Sequence, residues 1–212
     1  MSSPSRRVWY ASYGSNLLEK RFLLYLRGGR FSREHASHPG ARDQALPLKS
    51  SILLKANYAL LFSKWSERWG GGVAFIKPNL QMPSCWIRCW DVTEEQFFDI
   101  AAQENQLTPG HINLDVPKLI KEQRLDLGSG WYNEVIYLGE LNNQPILTFT
   151  TSNVDGYMKP STAYLSVLIA GLKEGSSLSD TEIQKYLAEV AGIQAEWTKQ
   201  ELYKVISETV AP

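Results

Sequence analysis

Hydrophobic positions along this chain follow two periods, and the switches between them predict its elements. RRVWYASY alternates and then turns continuously apolar, the pattern of a strand. From Asn16 the period lengthens, with Leu18, Phe22, Tyr25 and Leu26 on one face and Gly28-Gly29 as the stop, which predicts a helix. Residues 30–57 are polar, punctuated by Pro39-Gly40 and Pro47, and read mostly as loop. ANYALLFSKW, GGVAFIK and CWIRCWDV then read as strands. Thr93 and Gln96 form a capping box that opens a helix over EEQFFDIAAQE. NEVIYL and PILTFTT read as a hairpin turning near Asn142-Asn143.

Between those last two features lies a proline-broken insert, residues 105–131, with a short helix expected near 118–123. Residues 158–212 read as helical. KPSTAYLSVLIAGLKEG is one helix, Ser179 and Glu182 cap a second over TEIQKYLAEVAG, and EWTKQELYKVISE is the third, anchored by Trp197, Tyr203 and Ile206. Strands fill the middle and helices the ends, so the pattern predicts α+β rather than alternating α/β. A small twisted mixed β-barrel flanked by helices would hold these strands. The expected organisation is a single domain over 1–212, with 1–7 as a flexible tail.

Composition narrows the function classes. The 212 residues carry 22 Lys+Arg against 22 Asp+Glu and no basic block, which argues against nucleic acid as a partner. No apolar run is long enough to span a bilayer, and MSSPSRR has no apolar region after its arginines, so the expected partners include no membrane and the expected location is cytoplasmic. Cys85 and Cys89 stand four residues apart on a strand, roughly 13 Å between Cα atoms, too far for a disulfide. They are expected to be reduced core thiols. His35, His38 and His111 show no ligand spacing and read as surface histidines, so no metal or cofactor is expected.

Three segments could carry chemistry. YGSN is a strand–glycine–helix junction without the second glycine of a nucleophile elbow or the lysine of a phosphate loop. Gly14 is expected at positive φ. Two roles fit the junction equally: Ser15 or Asn16 caps the helix, or open main-chain N–H groups receive an anion or a carbonyl. Glu104 falls on the apolar stripe of Phe97 and Ile100 or Ala101. There it is either a snorkelling or paired glutamate or, if desolvated, an acid/base group working near neutral pH. The triple glycine of WGGGVAF marks either close backbone approach or a plain hairpin turn.

Taken together, these segments resemble the gamma-glutamylcyclotransferase family. Tyr10 to Leu17 is similar to its Y-x-x-Y-G-S-N-L signature, and WGGGVAF to its W-x-G-G-x-A segment. CWIRCWDVTEEQFFDIAAQEN resembles its strand–helix unit ending in Gln-Glu, here Gln103-Glu104. Pro160-Ser161-Thr162-Ala163-Tyr164, followed by Gly171-Leu172-Lys173-Glu174, resembles its P-S-x-x-Y helix. The resemblance implies that Glu104 is catalytic, and that Tyr13, Gly14, Ser15, Asn16, Leu17 and Tyr164 hold a small-molecule gamma-glutamyl substrate. It implies intramolecular cyclisation to 5-oxoproline with release of an amine, without metal or cofactor. A non-catalytic member binding a small ligand or a partner protein is the alternative. Two positions depart from the family pattern: Asn105 follows the glutamate and His111 stands seven residues on, and the insert is long.

Overall fold

Alternating apolar residues build the main sheet. The computed structural model describes residues 6–33, 36–78 and 85–210; His35 and the first five residues of the expected tail lie outside that set. Strand β1 (Arg7–Ser12) begins at the last residue of that tail and is buried from its second residue on. The chain gathers into two compact units that interleave along the sequence. One takes Met1–Ser12, Lys20–Ile52 and Arg88–Ser152; the other takes Tyr13–Glu19, Leu53–Ile87 and Asn153–Pro212.

In the first unit β1 is a central strand. It pairs antiparallel with β5 (Cys85–Thr93) and parallel with β8 (Gln144–Thr150). Beyond β8 lie β7 (Glu134–Leu141) and the short edge strand β6 (Arg124–Asp126), both antiparallel to their neighbours. The β7–β8 hairpin turns at Asn142 and Asn143, both at positive φ (54° and 59°), where asparagine is among the better-tolerated residues. One face of this sheet is aromatic. Tyr10 stacks on Phe149 at 5.4 Å and lies 6.2 Å from Phe22 of α1 (Glu19–Arg27) and 6.0 Å from Phe97 of α2 (Glu94–Glu104). Phe22 also stacks on Trp90 at 4.3 Å. The Thr93–Gln96 capping box sets the start of α2 as the sequence predicts.

The second unit pairs β3 (Tyr58–Ser66) with β4 (Gly71–Pro78) and adds α4 (Thr162–Gly175), α5 (Asp180–Ala188) and α6 (Lys199–Glu208). Ser161, Ser179 and Thr198 cap these helices, the last two through full capping boxes. Leu202, Val205 and Ile206 anchor α6, while Tyr203 faces solvent, one position off the expected stripe.

The predicted α+β class holds, with the strands in an open mixed sheet and a two-stranded ribbon; no closed barrel forms among the described residues. Two strands were hidden from the sequence reading, β2 (Ile52–Ala56) in the presumed loop and β6 in the insert. Beside β6 the insert holds α3 (Val116–Glu122), the short helix expected there. The predicted first helix splits in two. Ser15–Leu17 make one 3-10 turn, Leu18 is extended (φ −79°, ψ 122°), and α1 starts afresh at Glu19.

Candidate functional site

The turn at residues 13–17 belongs to the second unit, and α4 holds it there. Helix α4 presents Tyr164, Gly171 and Glu174, positions i, i+7 and i+10, which share one helical face. Tyr164 is buried, and its hydroxyl accepts a hydrogen bond from the Ala74 N–H of β4 (3.2 Å). Its ring meets Trp69 edge-on at 5.0 Å and Phe62 at 6.0 Å. A Cβ placed on Gly14 would lie 2.7 Å from the Tyr164 hydroxyl and 3.2 Å from the Ala74 Cβ. One turn-pair along the helix, a Cβ on Gly171 would collide with the main chain of Leu17 and Leu18. At the third position the Glu174 carboxylate accepts the Glu19 N–H (2.9 Å).

This geometry corrects two expectations. Gly14 sits at φ −115°, so the turn needs glycine for lack of space rather than for a positive φ. Nor is Ser15 or Asn16 the cap residue: Gly14 holds that position in the 3-10 turn, with no side-chain cap bond. Leu17 and Leu18 instead donate to the carbonyls of Gly14 and Ser15. The first N–H of α1, that of Glu19, is held by the Glu174 carboxylate. Tyr13, Ser15, Asn16 and Leu17 are all buried, and the structure brings them together with Tyr164 within one unit.

The glycines of WGGGVAF divide between the two roles they allowed. Gly70 turns at φ +62° with open space around it. Gly71 and Gly72 permit close approach: a Cβ on Gly71 would lie 2.7 Å from Ser161 N, and one on Gly72 would strike Met158 O. They let the segment leading into α4 run against β4, where Gly72 N–H donates to Lys159 O (2.8 Å).

Glu104 belongs to the first unit, as the last residue of α2. Phe97, Ile100 and Ala101 of its stripe are fully buried and Glu104 is half-buried. The stripe is less selective than its period implies, because α2 is buried on every side from Gln96 to Gln103.

Sequence reasoning passed over two fully buried carboxylates in this unit. Asp99 accepts from Arg42 N–H (2.9 Å), from the Arg42 guanidinium (3.0–3.1 Å) and from Gly110 N–H (2.7 Å). Asp91 accepts from Arg7 (2.9 Å) and from Gln144 (2.8 Å), whose amide oxygen takes Lys49 (2.7 Å). Burial pushes the Asp91 carboxyl up, but the hydrogen bonds and the charges of Arg7 and Lys49 bring it below its ordinary value. A lone acid inside an otherwise apolar run, as in FFDIAA, was the available signal.

His38 is a correction. It is buried, with Nε2 2.8 Å from the buried Arg21 guanidinium, which also reaches Tyr25 Oη (3.0 Å). His111 is exposed as expected. Cys85 and Cys89 are free and buried, and burial pushes both thiols up to about 12. Among the described residues no three His, Cys, Asp or Glu side chains cluster as a metal site.

With the geometry in place, comparison with known proteins defines the fold. A solved gamma-glutamyl cyclotransferase matches with a TM-score of 0.52 at 16% identity, over 96% of this chain and 99% of that one. An uncharacterised protein from Homo sapiens matches at 0.52 and 18% identity with the same coverage. The fold is therefore that of a gamma-glutamyl cyclotransferase, as the resemblance implied. In sequence, no family model matches. Histone deacetylase 5 of Arabidopsis thaliana is 35% identical over 202 residues, spanning 85% of this chain and 30% of that protein. No described helix is long and apolar enough to cross a membrane.

Proposed function

We propose that this protein cyclises a gamma-glutamyl amine, amide or dipeptide to 5-oxoproline and a free amine. The supporting observation is the locked turn, a YGSNL segment fixed by Tyr164, Gly171 and Glu174 on a fold shared with a gamma-glutamyl cyclotransferase. In this reading the main chain and side chains of Tyr13, Gly14, Ser15, Asn16 and Leu17, with Tyr164, hold the gamma-glutamyl group. The substrate's α-amine nitrogen attacks its own γ-carbonyl carbon. Glu104 takes the proton that the amine loses and returns it to the leaving nitrogen, so the new C–N bond forms as the old one breaks. The nucleophile and electrophile sit in one molecule, so holding them in line supplies much of the acceleration, and one acid/base group completes the step.

A second reading is a module that binds a small ligand or a partner without turnover. One observation favours it: the 35%-identical relative carries the matching stretch within a protein named for a different reaction, histone deacetylation. A panel of gamma-glutamyl amines, amides and dipeptides, assayed for 5-oxoproline by mass, separates the two. Turnover of one member, abolished in Glu104→Gln, supports the enzyme. Saturable binding of a panel member with no 5-oxoproline supports the module.

A further inference from the structure

The first unit also carries a cleft lined by none of the residues assigned to that reaction. It is an open cleft of about 330 Å³, lined by Arg6, Arg42, Glu94, Glu95, Phe98 and Ile112 among others. Its walls come from four stretches of chain, three of them fastened at one point: Asp99 of α2 holds Arg42 through main chain and guanidinium and holds the insert through Gly110 N–H. A second carboxylate, Glu95, takes the Arg42 Nη1 at 3.0 Å. Gly110 lies close against that guanidinium, since a Cβ there would stand 3.3 Å from Arg42 Cζ. Phe98 and Ile112 contribute apolar surface to the lining, and both are largely buried. The lining thus sets charges of both signs beside two apolar side chains.

Glu94 differs from its neighbours in the cleft. Its N–H donates to Arg6 O (3.0 Å), but among the described residues its carboxylate has no ion pair or hydrogen bond. Partial burial raises this carboxyl, against the pull of the Arg6 charge. A desolvated acid facing a cleft favours a ligand that brings a cation and N–H donors to it.

We propose that this cleft binds a free α-amino acid with an apolar side chain. The ammonium meets Glu94, the carboxylate meets the Arg6 guanidinium, and the side chain covers Phe98 and Ile112. The volume suits one such residue. Requiring both charges on one carbon separates a free amino acid from a peptide end, which offers only one of them.

The test is isothermal titration of the full chain with L-leucine, N-acetyl-L-leucine and L-leucinamide. Leucine should saturate at about 1 mM or tighter, with each blocked form at least about tenfold weaker. Glu94→Gln should weaken leucine about tenfold or more, and Arg6→Gln should weaken it independently, both with unchanged thermal midpoints. Leucine failing to saturate by about 10 mM would overturn the proposal. So would equal affinity for the acetylated form, or leucine affinity unchanged in both variants. None of these readouts depends on 5-oxoproline formation, so the site stands or falls apart from the cyclisation.

Discussion

The hydroxyl of Tyr164 occupies the space that a side chain on Gly14 would need. A Cβ there would stand 2.7 Å from Tyr164 Oη, which is fixed by the Ala74 N–H. Gly14→Ala is therefore expected to destabilise the protein by about 1–3 kcal/mol, the usual cost of overpacking. Tyr164→Phe removes the obstructing oxygen at the cost of an unpaired Ala74 N–H. In the double variant the two costs should sum to less than their separate values, because the second change relieves the first. Urea midpoints of the four proteins check this. Strict additivity would mean that Tyr164 Oη is not what excludes a side chain at Gly14.

Glu104→Gln tests the proton shuttle. The amide is nearly isosteric and its half-buried position at the end of α2 tolerates the change, so stability should hold. Loss of one general acid/base group is expected to lower kcat by about 10²–10⁴. The measurement is kcat on the best member of the gamma-glutamyl panel, with circular dichroism as the folding control. Near-normal turnover would remove Glu104 from the mechanism.

How far these features were legible in the sequence depended on whether the cause was local. The Thr93 and Ser179 capping boxes, the Asn142-Asn143 turn and the α2 boundaries follow from neighbours within four residues, and all stand as read. Gly14 was identified as special but for the wrong reason, since its partner Tyr164 lies 150 residues away and only the fold brings it near. His38 read as a surface residue because its partner Arg21 sits on a helix whose buried face the polar loop conceals. The split of the first helix at Leu18 was likewise invisible. It arises from α4, whose Gly171 admits the Leu17–Leu18 main chain and whose Glu174 caps the restart at Glu19.

Asp91 predicts how stability responds to acid. Its carboxyl lies below its ordinary value when folded, so it contributes stability above the unfolded value of about 3.9 and loses it as pH falls through the folded value. Glu94 acts with the opposite sign, since its folded carboxyl is raised and its contribution is lost as pH rises. Urea midpoints between pH 2 and 7 should fall on the acid side, and Asp91→Asn should flatten that fall. An unchanged slope would assign the acid sensitivity elsewhere.

The departure at Asn105 has a structural role that the family pattern does not supply. Its side chain donates to Tyr132 O (2.9 Å) and Ala101 O (3.1 Å) and accepts Tyr132 N–H (2.9 Å), closing the base of the insert. Gly130 makes room for it, since a Cβ there would strike Asn105 Oδ1. Asn105→Ala should cost about 1–3 kcal/mol by leaving the Tyr132 groups unpaired. Amide exchange should rise across residues 105–131. Protection unchanged in that stretch would show that the insert is held by other contacts.

Ser15 is the last test, because a serine beside a glycine invites the reading of a nucleophile. Activation of a serine hydroxyl at neutral pH requires an adjacent base. Among the described residues its hydroxyl meets no such base: the buried histidine, His38, is held at Arg21, and His111 is exposed. Nor is Ser15 the cap residue, so Ser15→Ala at this buried position should cost about 1 kcal/mol or less and leave the fold intact. Activity on the gamma-glutamyl panel should survive the change, since the main chain is untouched. Treatment with a serine-directed sulfonyl fluoride, followed by intact mass and peptide mapping, should leave Ser15 unmodified. A covalent adduct there with parallel loss of turnover would replace the cyclisation by a serine-hydrolase mechanism.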